Sequence, residues 1–308
     1  MRHRVPLPEH LGSSFVVADA RAAGVGRWRS STPDLHRPFR GVRSVAVPDT
    51  FLSTVRCYQP RMLPHHRCVG WTAMRLWGLP GCRRWTSTER VEIAVPRDAA
   101  PPRGPRVKGR RLDAGRAQTW KVHGTPTVDP IAALFTVARE LTVDEAVVVM
   151  DALLTAADNY PGLLPGRPAF TRAQLEKRLA QWQRFPGSAT IRDALPLARE
   201  RVESPKETET RLMLVRAGLP EPVVQHEVWD GARLIARPDL SYPDLKIAIE
   251  YEGDGHRTDP AQWRRDIQRQ RDLEDRGWIV IRLTQRDLRE GRDSLLARVR
   301  GAIASRTR

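Results

Sequence analysis

The chain has 308 residues, with 52 Lys/Arg against 36 Asp/Glu and a formal net charge of +16 at pH 7. That length suffices for two or three domains with their own cores, and no apolar run reaches the roughly 18 residues of a membrane span. Three cysteines, Cys57, Cys68 and Cys82, make no disulfide framework, and the opening MRHRVPLPEHLG lacks the apolar stretch of a secretory signal, so a reduced, cytoplasmic protein is expected.

The charge is unevenly placed. Residues 203–308 hold 20 basic and 19 acidic side chains, whereas residues 1–202 hold 32 and 17. A generally arginine-rich proteome would also yield a basic chain. An excess confined to one half suits a polyanion, bound by neutralising phosphates and releasing their counterions. DNA is the expected partner, with no membrane, and a homo-oligomer is compatible with the sequence.

Residues 1–45 read as a small helical unit: Phe15, Val16, Ala18 and Ala22 lie near helical spacing, and Gly24 suits a C-terminal stop. The basic, turn-rich PDLHRPFRGVRSVAV follows, and helix, turn, helix and ribbon together would suit a winged helix. Residues 46–156 read as mixed α/β, with a helix over Trp71–Leu79, a strand over Val91–Val95 and helical patterns from Asp129 to Ala156. Between Pro101 and Lys121, seven basic residues face one acid; Pro and Gly make this a loop or ribbon. Arg103, Arg106, Lys108, Arg110 and Arg111 are its candidate phosphate contacts, a solvated hairpin being the other possibility. Residues 157–202 read as a helical connector, with helices near Arg172–Trp182 and Ile191–Val202. Cys57, His65, His66, Cys68 and Cys82 fit no compact zinc spacing.

Residues 203–308 form the last expected domain. Ser204, Pro205 and Glu207 open a helix as N-cap, first-turn proline and capping-box acid, and Gly218 closes it. Strands are expected at Val223–Trp229, Arg233–Leu240, Leu245–Glu252 and Trp278–Thr284, with a helix before the last of these and another over Asp293–Ser305. The order α-β-β-β-α-β-α implies a mixed sheet flanked by helices. In the third strand Ile247, Ile249 and Tyr251 share one face, and Lys246, Ala248, Glu250 and Glu252 the other. Two carboxylates at i and i+2 on one face repel and desolvate poorly unless a cation lies between them. Asp239 could meet them across the hairpin, and three oxygen donors at a sheet end suit Mg²⁺ or Mn²⁺ better than Zn²⁺. An acidic strand end neutralised by nearby arginines is the competing explanation.

Glu207, the RPDL around Asp239, IEYEGDGH and RRDIQRQRDLEDRGWIVIRL together resemble a widespread bacterial domain family related to the very-short-patch repair endonucleases, within the PD-(D/E)XK superfamily. The resemblance covers roughly residues 203–308 and implies a restriction-endonuclease-like α/β fold. It makes Asp239 the motif aspartate, Glu250 the (D/E) acid and Glu252 the occupant of the position where many members carry lysine. It further implies a catalytic role for His256, an acid on the first helix at Glu207 and a polar helix residue beside the site at Asp266. Without the lysine, His256 is the candidate proton carrier; Lys246 shares the strand face but lies too far along it. The early helix, PFRGVR, MRLWGLP and the late helical pair resemble the N-terminal regions of AbiEi-type antitoxins, which implies DNA recognition near Arg27, Arg29, Arg37, Arg40 and Arg43.

The expectation is therefore a Mg²⁺- or Mn²⁺-dependent DNA endonuclease acting in repair or defence, with Asp239, Glu250 and Glu252 on the metal. The alternative is a DNA-binding regulator or antitoxin whose nuclease fold does not cut.

Overall fold

The structure, a computed structural model, describes residues 5–253 and 260–307. Phe15 is extended rather than helical. It lies in β1 (Ser14–Val16), which leads directly into α1 (Val17–Ala22) and pairs antiparallel with β2 (Val42–Ser44). Phe15, Ala20, Val25 and Leu35 bury one another beneath this ribbon. Gly24 takes φ +82° just beyond α1, the left-handed stop expected there. In the described part of residues 1–45, the remaining helical turns are the 3-10 turns Glu9–Leu11 and Arg29–Ser31. Pro33 and Pro38 interrupt the stretch where a second helix of a helix-turn-helix would run.

A capping box between Thr50 and Ser53 starts α2 (Phe51–Tyr58). β3 (Arg67–Cys68) and α3 (Gly70–Leu76) follow, then β4 (Val91–Val95), β5 (Arg103–Gly104), β6 (Val107–Arg111), β7 (Thr119–Val122), β8 (Thr125–Val128) and α4 (Pro130–Val137). The six strands form one mixed sheet in the order β5-β6-β4-β3-β8-β7. Every residue of β4 is buried, as a central strand requires, and α3 packs on α4. The basic stretch after Pro101 forms the edge of this sheet. Gly109 is required there, because a Cβ would come within 2.4 Å of the Pro102 carbonyl oxygen.

The chain divides into two units, Met1–Glu140 with Lys177–Ile191, and Leu141–Glu176 with Arg192–Arg308. The expected mixed segment 46–156 and helical connector 157–202 are thus each shared between them. α5 (Val143–Leu154) opens on a Thr142–Glu145 capping box. α6 (Arg172–Trp182) and α7 (Ser188–Ala194) carry the chain across the divisions. α7 stops well short of Val202, as Pro196 converts its continuation into the 3-10 turn Leu195–Leu197.

α8 (Pro205–Arg216) leads into the second main sheet. The single strand expected over Val223–Trp229 is two, β9 (Val223–Val224) and β10 (Val228–Asp230), broken where Gln225 takes φ +50°. Pro238 likewise separates β11 (Arg233–Ala236) from β12 (Leu240–Tyr242). β13 (Ile247–Tyr251), α9 (Pro260–Glu274), β14 (Ile279–Leu283), α10 (Gln285–Arg289) and α11 (Arg292–Arg306) complete the unit.

The strand order is β14-β13-β12-β9, with β10–β11 as a separate hairpin. β13 and β14 are parallel, so the chain needs a crossover, which α9 supplies. The expected alternation is present. Ile247 and Ile249 pack with Met213, Leu214, Ile281 and Leu295, whereas Ala248 packs with Val228, Ile235, Leu273 and Trp278 on the opposite face.

α5 belongs to this second unit through a buried ionic network. Asp151, fully buried, accepts from Thr208 Oγ1 at 2.8 Å, from Arg211 Nη2 at 3.1 Å and from the Arg199 backbone at 2.6 Å. Arg211 also donates to Leu197 O and to Glu221, each at 2.8 Å.

Candidate functional site

Three carboxylates, Glu207, Asp239 and Glu250, lie near enough for the first and last to act electrostatically on Asp239, where α8 begins and β12 and β13 lie side by side. Ser204 caps α8 by accepting from the Glu207 backbone N–H at 3.2 Å. The Glu207 carboxylate does not complete a capping box with Ser204. It turns inward instead, accepting from the Glu203 backbone and from Gln225 Nε2, both at 3.0 Å. Burial raises its pKa, and these hydrogen bonds oppose the rise.

Asp239 immediately precedes β12. Its Oδ2 accepts from the Tyr251 backbone N–H at 2.8 Å, which sets its carboxyl beside the Glu250–Tyr251 peptide, and its carbonyl accepts from Gln225 N. Desolvation and then the charge of Glu207 push the Asp239 pKa up from 3.8 to about 8, with Glu250 adding to the rise and Arg269 opposing it.

Glu250, 8% exposed, lies 3.7 Å from Arg269 Nη2 on α9 and 3.9 Å from Arg282 Nε on β14. Asp266 is 3.4 Å from Arg269, so it borders the cluster through that guanidinium.

Glu252 does not join the cluster. Its carboxylate accepts from Arg282 Nη1 at 2.5 Å, just past the end of β13. This departs from the three-acid metal set expected from sequence, and the reason is a cation directly across the parallel strand pair, where Glu250 is in register with Arg282. Lys246 is also displaced from the expected strand face. It precedes β13 in a left-handed conformation, φ +49°, and donates to Arg276 O at 3.1 Å. His256 lies outside the described residues.

Among the described residues, no three His, Cys, Asp or Glu side chains are arranged to hold a metal ion. Two adjacent acids, Asp239 and Glu250, nonetheless fit Mg²⁺, which keeps several waters and takes one or two protein carboxylates together with substrate phosphates.

Sequence reasoning missed Gln225, Arg269 and Arg282. Arg269, three residues beyond Asp266 on a helix, could have been found by i, i+3 spacing. Gln225 could not, because its left-handed backbone has no Gly or Asn to announce it.

The basic residues of the other unit separate into two groups. Arg29, 8% exposed, is a structural tie: it pairs with Asp34 at 3.1 Å and donates to Val5 O at 2.7 Å, so it is not presented to a partner as expected. Lys108 and Arg110 turn to Glu92, at 3.4 and 2.7 Å, and are neutralised there. Arg27, Arg37, Arg40, Arg103 and Arg111 are exposed, with Arg43 and Arg106 half-buried.

No family model matches this chain. It is similar to two Mycobacterium tuberculosis proteins, Uncharacterized protein MT2308 of strain CDC 1551 / Oshkosh and Uncharacterized protein Rv2248 of strain ATCC 25618 / H37Rv. Each is 29% identical over 183 residues, which is 59% of this chain. The match spans 64% of the length of each relative. Among solved structures, the crystal structure of RV2827C protein from Mycobacterium tuberculosis aligns over 71% of this chain and 84% of that one, at 16% identity and a TM-score of 0.37. No helix among the described residues is long and apolar enough to cross a membrane.

Proposed function

We propose that the chain is a metal-dependent DNA endonuclease whose second unit hydrolyses a phosphodiester bond, on a restriction-endonuclease-like fold. One observation carries the reading: Asp239 is buried at a sheet end with Glu207 and Glu250 near it, so that burial first, and then the charges of those two acids, raise its pKa to about 8. Fixing like charges together in a poorly solvated place costs free energy that folding alone does not reward, whereas a divalent cation reverses the sign. Asp239 and Glu250 are the residues that would hold Mg²⁺ or Mn²⁺. Bound there, the ion supplies a Lewis acid for the phosphoryl oxygen and lowers the pKa of a water.

The chain's own groups prepare the place. The Tyr251 N–H orients Asp239, and Gln225 fixes Glu207 behind it. Arg269 and Arg282 shield Glu250 and present guanidinium groups where a phosphate backbone would pass. His256 keeps the proton-transfer role implied by the resemblance. The exposed arginines of the first unit would bind the duplex.

A second reading has a specific observation behind it. Arg282 occupies Glu252, and no lysine stands at that position, which is what a DNA-binding regulator with a non-cutting site would look like. Incubating the full-length protein with duplex DNA and Mg²⁺ or Mn²⁺, against an EDTA control, separates the two. Metal-dependent cutting that Asp239→Asn abolishes supports the nuclease; binding without cutting in every metal supports the regulator.

A further inference from the structure

Six arginines from three separate stretches line one pocket of the first unit, with a volume of about 290 Å³: Arg37, Arg40 and Arg43 ahead of and within β2, Arg61 after α2, and Arg103 and Arg106 around β5. In the sequence these fall into two expected domains and look like two surfaces. Among the described residues none of the six pairs with a carboxylate, although Lys108 and Arg110, a few residues further on, both do. Backbone carbonyls hold Arg43, Arg61 and Arg106 in place instead. Arg43 Nε donates to Ser30 O at 2.5 Å, Arg106 Nη2 donates to Ser87 O at 2.6 Å, and Arg61 donates to the Arg40 carbonyl.

The positive charge is therefore fixed and left without a counter-charge. Burial first, and then the neighbouring Arg37, lower the Arg43 pKa. Two polar groups of the wall are also unsatisfied. Tyr58, 1% exposed, is one of the residues lining the pocket, and its buried hydroxyl has no hydrogen-bond partner among the described residues; Arg106 Nε is in the same condition. Phe39 stiffens the wall: its ring meets Tyr58 edge-on at 5.1 Å and lies under the Arg106 guanidinium at 5.6 Å. Buried donors left unpaired cost free energy unless a ligand completes them.

A surface that only tracks a duplex spreads its charges along the phosphate backbone. A concave arginine pocket concentrates them on one group, and guanidinium forks match phosphate oxygens two at a time. We propose that this pocket binds a phosphate dianion carried on a phosphomonoester, either the phosphorylated end of a nucleic-acid strand or a free mononucleotide. The assignment is independent of whether the acidic cluster cuts.

The test uses the full-length protein and three probes. Inorganic phosphate is compared with chloride at matched ionic strength for its effect on melting temperature. Affinities are then measured for one oligonucleotide with a 5′-phosphate, with a 3′-phosphate or with neither, and a nucleoside monophosphate is used as competitor. Phosphate should raise the melting temperature, and one phosphorylated end should bind about tenfold tighter than the unphosphorylated strand. Competition by the mononucleotide would assign the free nucleotide as the source, and its failure would assign the strand end. Arg61→Gln and Arg103→Gln should erase the preference, while Arg56→Gln, exposed on α2 and outside the pocket, should keep it. Tyr58→Phe, which keeps the ring, should weaken it even if an arginine variant folds poorly. Equal affinity for all three oligonucleotides with no stabilisation by phosphate would overturn the proposal. So would a loss in Arg56→Gln as large as in Arg61→Gln, since that is a diffuse basic surface.

Discussion

Glu250 and Glu252 are two residues apart, and their neighbours give them different tasks. Glu250 is buried against Asp239 and sees its two arginines only at 3.7 and 3.9 Å, whereas Glu252 is bonded to Arg282 at 2.5 Å. Glu250→Gln should therefore lower cleavage by about 100-fold or more, the scale of losing a group that stabilises developing charge. Glu252→Gln should lower it by no more than about tenfold, the scale of a supporting contact. Single-turnover cleavage rates of the two variants check this; equal losses would restore Glu252 to the cluster.

Asp239 adds a pH dependence. Its folded pKa of about 8 lies above the ordinary 3.8, so the metal-free native state holds a proton that the unfolded chain has released. The sign follows: this group's contribution to stability falls as pH rises from near 3.8 to about 8. Denaturant midpoints measured in EDTA across that window should show the decline in the wild type and a flatter profile in Asp239→Asn. Identical profiles would mean that Asp239 is not crowded as described.

At the scale of elements, α5 and α8 are joined by charge as well as by packing. Asp151 and Arg211 are 0% and 1% exposed in their side chains. Removing one partner of such a pair strands the other, at a cost of about 3–5 kcal/mol. Glu221, also bonded to Arg211, should hold Asp151→Ala near the lower end of that range. Chemical denaturation of the full chain measures it, and a change below about 1 kcal/mol, typical of exposed pairs, would contradict the network.

Local periodicity foretold the elements that depend on it. α5, α6, β4, β13 and β14 were all legible, because each carries its own burial pattern along the chain. The faces of β13 from Ile247 to Ile249 followed from alternation alone, which put Ile247 and Ile249 in one core and Ala248 in the other. What was not legible depends on partners distant in sequence. The break at Gln225 serves contacts to Asp239 and Glu207, Glu252 is diverted by an arginine on a different strand, and α7 ends early at a proline. Arg29 looked like its basic neighbours until Asp34 and Val5 closed around it.

At the scale of the molecule, the +15 excess over residues 1–202 does not coincide with a folded unit, because residues 141–176 and 192–202 belong with the carboxylate cluster. A fragment beginning at residue 203 would lose α5 and strand Arg211, so division of labour is best tested in the full chain. If exposed arginines of the first unit contact phosphates, replacing one such contact should reduce the slope of log affinity against log salt by about 0.9 for duplex DNA. Anisotropy titrations at several salt concentrations measure this for Arg27→Gln and Arg40→Gln. An unchanged slope in both would remove those residues from the DNA surface.

The central claim is that Asp239 and Glu250 together bind a divalent cation. Calorimetric titration of Mn²⁺ into the full-length protein, at a pH above the Asp239 pKa, addresses it without depending on turnover. Wild type and Glu252→Gln should bind the ion with similar affinity, while Asp239→Asn and Glu250→Gln, still folded, should not bind it. No binding by the wild type, or binding that survives both substitutions, would contradict the account.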